Sequence, residues 1–185
     1  MSCLNSLSGI KLDLCAANLA GVAEIYLADD FDNLVVSAVT SGSVTDSAMT
    51  ITAISGATFY GYQLEKQQGY YTCTPNFTDN GRLLYYTNAI RIAFGRLDAA
   101  KHLEFLALTH NPVKAIVKDN NGVYHFLGFD GYLAPSEGLA QTGQNFDDEN
   151  GYEVVLNGQS AYPSFIIDEA LAKTVIQEPA TIAQG

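Results

Sequence analysis

The chain has 185 residues, 48% of them hydrophobic and 16% charged, which suits one folded domain with a sizeable core and leaves no tract for long-range disorder. Its 20 acidic and 9 basic residues give a formal charge of −11, which argues against sequence-independent nucleic-acid binding through a basic patch. No run reaches the roughly 18–20 apolar residues of a membrane span, and residues 1–22 lack the charged start and continuous apolar stretch of a signal peptide.

Eleven tyrosines, nine phenylalanines and no tryptophan, alongside many Thr, Val and Ile, favour strands over helices. Cys3, Cys15 and Cys73 form an odd set without C-x-x-C spacing, the pattern of reduced thiols in a protein made in the cytoplasm. Residues 21–28 (GVAEIYLA) predict a strand that ends at the turn Asp29-Asp30-Phe31-Asp32-Asn33. The β-branched residues 34–40 predict the next, closed by Ser41-Gly42-Ser43, and residues 49–54 another. Across residues 58–64 the pleat sets Phe59 opposite Tyr60, Tyr62 and Leu64. Residues 70–74 are expected to return antiparallel to that strand through a turn near Gln67-Gln68-Gly69.

Residues 84–94 give the clearest alternation. Leu84, Tyr86, Ile90, Ile92 and Phe94 share one face, interrupted by Asn88, while Tyr85, Thr87, Ala89, Arg91 and Ala93 share the other. One helix stands out over residues 99–108, capped by Asp98, with Leu103, Leu106 and Ala107 as its apolar stripe. Pro112 stops it, and it is expected to lie across a sheet as a lid. A hairpin follows over residues 113–118 and 123–128, where Asn121-Gly122 supplies the left-handed backbone of a tight turn. Residues 131–150 read as a long loop, 152–157 and 164–167 as strands, and 168–177 as a short helix or extended arm. The expected class is mainly β, an antiparallel sandwich or barrel of roughly eight to ten strands with one packed helix at residues 98–108. Its organisation reads as an N-terminal arm (1–20), a β-sandwich domain (21–168) and a C-terminal arm (169–185).

No catalytic, metal or cofactor site is predicted. His102, His110 and His125 have no metal-ligand spacing and no nearby cysteine. The acidic runs at 29–33 and 147–149 offer hard oxygens, but the first lacks the Gly and the terminal Glu of a calcium-binding loop, and acidic residues that cap and solvate a turn are the better reading. Ser8-Gly9-Ile10-Lys11 matches S-x-x-K without the partner motifs that give it meaning, and no phosphate or dinucleotide loop is present. The tyrosines at 60, 62, 70, 71, 85 and 86 crowd into one expected sheet region, as a subunit interface or a sugar-stacking surface would. Missing tryptophan favours interface or packing. The interface candidates are Tyr60, Tyr62, Tyr70, Tyr71, Tyr85 and Phe146.

Several stretches taken in order resemble a family of small virion proteins of tailed phages of Bacteroidetes, crAss-like phages included. They are residues 21–28, 59–64, 96–108 (RLDAAKHLEFLAL), 115–131 (AIVKDNNGVYHFLGFDG) and 142–158, which ends in ENGYEVVLNG. Members of that family look like tail-tube or tail-hub subunits. The resemblance implies a tail-tube type of β-sandwich, assembly into rings (commonly hexameric) with copies of itself and other tail proteins, and a lumen through which DNA passes without specific binding. It also implies a place in the virion after synthesis in the host cytoplasm, no enzymatic activity, no cofactor and no membrane. The residues leave two other readings open: a capsid decoration or head–tail adaptor protein, and a carbohydrate-binding β-sandwich module. Residues 63–80 and 131–150 are the segments expected to reach a neighbouring ring.

Overall fold

The computed structural model describes residues 19–29, 32–39, 49–64, 69–145, 148 and 150–177. Its organising feature is visible in two short apolar runs. β1 (Val22–Ala28) and β7 (Lys114–Asp119) pair antiparallel, with Ile25 opposite Val117 and Leu27 opposite Ala115. Both are covered on both faces: Ala115, Ile116 and Val117 in succession are shut from solvent. A strand covered on both sides has no need of alternation, which is why these segments read as continuous apolar runs.

Those strands lie inside an eight-stranded sheet. The remaining members are β2 (Val35–Val39), β3 (Thr50–Ser55), β4 (Phe59–Gln63), β8 (Tyr124–Leu127), β11 (Phe165–Ile167) and β12 (Ile176–Gln177), in the order β12-β4-β1-β7-β8-β11-β3-β2. A second sheet of four strands has the order β5-β6-β10-β9: β5 (Tyr70–Phe77), β6 (Leu83–Gly95), β10 (Gly151–Ser160) and β9 (Ala134–Gln141).

Two apolar clusters result. Ile25, Leu27, Ala115 and Val117 meet Ile90, Ile92, Val154 and Leu156 between the sheets. On the opposite face, Tyr26, Phe59, Ile116, Phe126, Phe165 and Ile51 form the second cluster. Phe59 and Ile51 come from strands near opposite ends of the sheet order, so the large sheet curls around this second core.

The helix α1 (Ala99–His110) begins where Asp98 accepts a bond from the Lys101 backbone N–H at 2.9 Å. It runs two residues beyond the expected end and stops at Asn111, just before Pro112. It packs against β9 and β10, filling the open side of the sandwich as a lid. The buried stripe differs from the expected one. Leu103 and Leu106 point to solvent, whereas Phe105 and Leu108 pack into the inter-sheet cluster. Tyr152 decides the phase, because its ring packs against Phe105, His102 and Phe94 and draws that face of the helix inward.

Other expectations are corrected. The described residues form twelve strands, and two pairings are parallel, β11 with β3 and β12 with β4, so the architecture is not wholly antiparallel. β5 pairs with β6 in the small sheet and not with β4. Residues 134–141, expected within a loop, form the edge strand β9, where Pro135 and Gly138 are tolerated because only one side is paired. Gly138 also admits the helix: a Cβ there would lie 3.4 Å from the Phe105 ring and from Thr109. Leu84, placed on the core face, is exposed beside a bulge. Residues 169–177, expected in the C-terminal arm, instead pack into the domain: α2 (Glu169–Ala172) buries Ala172, and Val175 joins the second cluster.

The wall should dominate stability. Ile116→Ala is expected to cost about 2–5 kcal/mol, whereas Leu103→Ser should cost less than about 0.5 kcal/mol. Urea unfolding midpoints of the two variants compare them directly, and equal losses would contradict this packing.

Candidate assembly surfaces

The small sheet carries an unsupported extension. β10 accompanies β6 from Gly95 down to Tyr86, where Ser160 makes the last pair. β5 and β6 continue together past that point, through Asn76 opposite Tyr85 and Phe77 opposite Leu83, with no third strand among the described residues. The ribbon closes in a turn where Gly81 N–H donates to Thr78 O at 2.8 Å and Arg82 N–H to Thr78 Oγ1 at 3.1 Å. The Asn76 side chain braces the strands by donating to Thr87 Oγ1 at 2.8 Å. Phe77 and Leu84 are 58% and 56% exposed on this ribbon, a large apolar area for a two-stranded element that is marginal by itself in water. Among the described residues, no carboxylate forms an ion pair with Arg82.

The second surface lies at the opposite end of β6, where α1 passes over β4. A cleft of about 590 Å³ opens between them, walled by Tyr60, Tyr62, Leu64 and Phe94 with Asp29 and Glu104 at its polar positions. The Tyr62 hydroxyl donates to Glu104 Oε2 at 2.8 Å, linking sheet to helix. Burial, then the Glu104 carboxylate, push the Tyr62 hydroxyl well above the usual phenol range, so it stays a donor at any physiological pH. Lys101 also borders the cleft, but its ammonium is engaged by Gly95 O at 2.6 Å and Asp98 at 3.4 Å. Asp29 makes no ion pair with a described residue.

The expected tyrosine cluster is divided between the sheets. Tyr60 and Tyr62 belong to the large sheet at the cleft, Tyr60 being 52% exposed. Tyr70 lies on the outer face of the small sheet opposite Arg91 and is largely exposed. Tyr71 turns inward against the His125 ring at 5.5 Å, which makes it a packing residue. Tyr85 is half-buried on the ribbon, and Phe146 lies outside the described residues. Phe77 falls within residues 63–80, a segment expected to reach a neighbouring ring, but neither it nor Leu84 is among the interface candidates read from the sequence. Asn80-Gly81 marks their turn with the same dipeptide that marks the hairpin at Asn121-Gly122.

The remaining polar groups serve local structure. His102 meets the Tyr152 hydroxyl at 3.3 Å, His110 the Leu106 carbonyl at 2.8 Å, and His125 lies 3.7 Å from Asp119. Asp148 accepts from the backbone N–H groups of Gln144 and Asn145, closing a turn. Among the described residues no group of three or more His, Cys, Asp or Glu could hold a metal ion. Asp130 accepts bonds from the Ser160 hydroxyl and the Ala161 N–H, and Lys114 donates to Gly128 O at 2.7 Å, so that corner is a structural clasp.

On the outer face of the small sheet Arg91 grips Glu153 through two bonds of 2.5 and 2.6 Å. Comparison with protein-family models, with curated proteins and with solved structures returns no match for the chain.

The Arg91 hydrogen bond and charge hold the Glu153 carboxyl below its ordinary 4.5. Burial pushes Glu24 up, but bonds from Tyr26 and Lys118 outweigh it and hold that carboxyl low as well. A depressed folded-state value means stability that is present above pH 4.5 and lost as the pH falls through the folded values. Glu153→Gln should therefore lower the melting temperature at pH 7 and reduce the further loss on acidification below pH 4.5. Melting curves across that range check it, and an acid response identical to the parent's would contradict it.

Proposed function

We propose that this chain is a virion building block of a tailed phage, a tail-tube or tail-hub subunit that closes into a ring, hexameric in the resembling family, around the conduit for DNA. The observation that carries this reading is the ribbon beyond Tyr86, which exposes Phe77 and Leu84 and has no third strand to support it among the described residues. Such an element is completed by a neighbour. β5 and β9, the outer strands of the small sheet with no further partner among the described residues, offer backbone donors and acceptors to adjoining copies or to other tail proteins.

Charge supports the same reading. A subunit of net charge −11 repels phosphate, as suits a wall past which DNA slides without being gripped. The chemistry of the described residues points the same way, since the three histidines are engaged with protein groups. A capsid decoration or head–tail adaptor protein would use the same surfaces at a different place in the particle. A carbohydrate-binding module would use the cleft, whose walls carry Tyr60 and Tyr62.

Location tests the reading. In cryo-electron microscopy of purified particles, density for this chain is expected as a ring on the tail axis. Density on the head surface would replace the tail assignment by a decoration role. Absence from mature particles, together with a purified chain that stays monomeric at high concentration, would end the virion reading.

A further inference from the structure

Resting on the self-assembly reading above, we propose that the ribbon tip of one copy docks into the cleft between α1 and β4 of a second copy. The two surfaces lie at opposite ends of one strand. β6 starts at Leu83 beside the ribbon turn and ends at Gly95, next to Phe94 in the cleft wall. Its 13 residues hold the two ends about 40 Å apart at an ordinary strand rise. A stiff strand cannot bend its own tip back into its own cleft, so the contact is between molecules.

The surfaces also suit each other chemically. The tip offers two exposed apolar side chains, Phe77 and Leu84. The cleft offers Tyr60, Tyr62, Leu64 and Phe94 in a volume of about 590 Å³, within the range of roughly 300–1,000 Å³ in which pockets enclose a guest. Arg82 at the tip and Asp29 at the cleft, of opposite sign, both lack an ion pair among the described residues. In a chain of net charge −11, an unpaired cation on a projecting element is suited to an acidic partner, and a second copy of this chain is one. Beside the cleft, β12 pairs only with Phe59 and Tyr60, which leaves the outer edge of Gly61 and Gln63 without a described strand partner.

Such a contact joins unlike surfaces and does not close on itself in a dimer, so it repeats from copy to copy and closes into a ring where the rotation between copies allows. This predicts a specific complementation. Phe77→Asp spoils the tip and keeps the cleft; Tyr60→Arg spoils the cleft and keeps the tip. In sedimentation velocity each variant alone should associate at least tenfold more weakly than the parent. An equimolar mixture of the two should form a one-to-one dimer and nothing larger, since only one good pair of surfaces remains. Far-ultraviolet circular dichroism confirms that both variants are folded, and Arg82→Glu, which leaves the ribbon's apolar residues in place, gives a second route to the tip. Weakening by Arg82→Glu that is relieved by Asp29→Arg would support the pairing of those charges. If the parent assembles and the variants assemble equally well, the docking is wrong while the self-assembly reading survives. A mixture that fails to dimerise also overturns the docking. A parent chain that never associates removes the docking and its premise together.

Discussion

The structure depends on a wall of two strands with no wet side. β1 and β7 separate two apolar clusters, so Ile25, Leu27, Ala115 and Val117 are committed to one core and Tyr26, Ala28 and Ile116 to the other. A register slip of one residue would exchange every side chain between the cores, moving Tyr26 and Ile116 into the space shaped for Ile25, Val117 and Leu27. Packing on both sides therefore fixes the pairing far more firmly than hydrogen bonds alone. The same wall explains how a chain of modest length supports two cores: one sheet supplies an inner face to each.

From this wall the candidate surfaces follow. The small sheet covers one face of the wall only as far as β10 extends, and β6 is longer than β10. The excess length emerges at one end as the ribbon. At the other end the sheets part, and α1 fills the gap through Phe105 and Leu108, leaving the cleft along its margin. Both surfaces are thus consequences of a mismatch in strand length and sheet separation.

Much of the fold was legible in the residues. Strands β1 to β4, β6 to β8, β10 and β11 lie close to the segments that their apolar and β-branched runs predict, and Asp98 and Asn121-Gly122 mark their cap and turn. Alternation reports which face a residue occupies, however, and says nothing of which strand lies alongside. That is why β5 was assigned to β4, and why the parallel partners of β11 and β12 were not foreseen. β9 was hidden because an edge strand with one wet side can be written in Pro, Ser, Glu and Gly. The helix phase failed for a related reason: Leu103 and Leu106 fit a stripe as well as Phe105 and Leu108 do, and only the Tyr152 ring chooses between them. For the candidate site, Tyr60 and Tyr62 were found through aromatic crowding, but Phe77 and Leu84 were not singled out, because exposure on a ribbon depends on where the neighbouring strand stops.

The crossing at the C-terminal end carries a consequence for biogenesis. β11 inserts between β8 and β3, and β12 adds beside β4, so residues 165–177 tie in β3 and β4, two strands synthesised more than a hundred residues earlier. Until residues 165–177 have emerged from the ribosome, the β3 edge lacks its β11 neighbour and Phe126 lacks Phe165, its partner across the strand pair. A nascent chain can build the wall earlier but cannot seal the curled sheet before residues 165–177 emerge, so closure comes late in the order of synthesis.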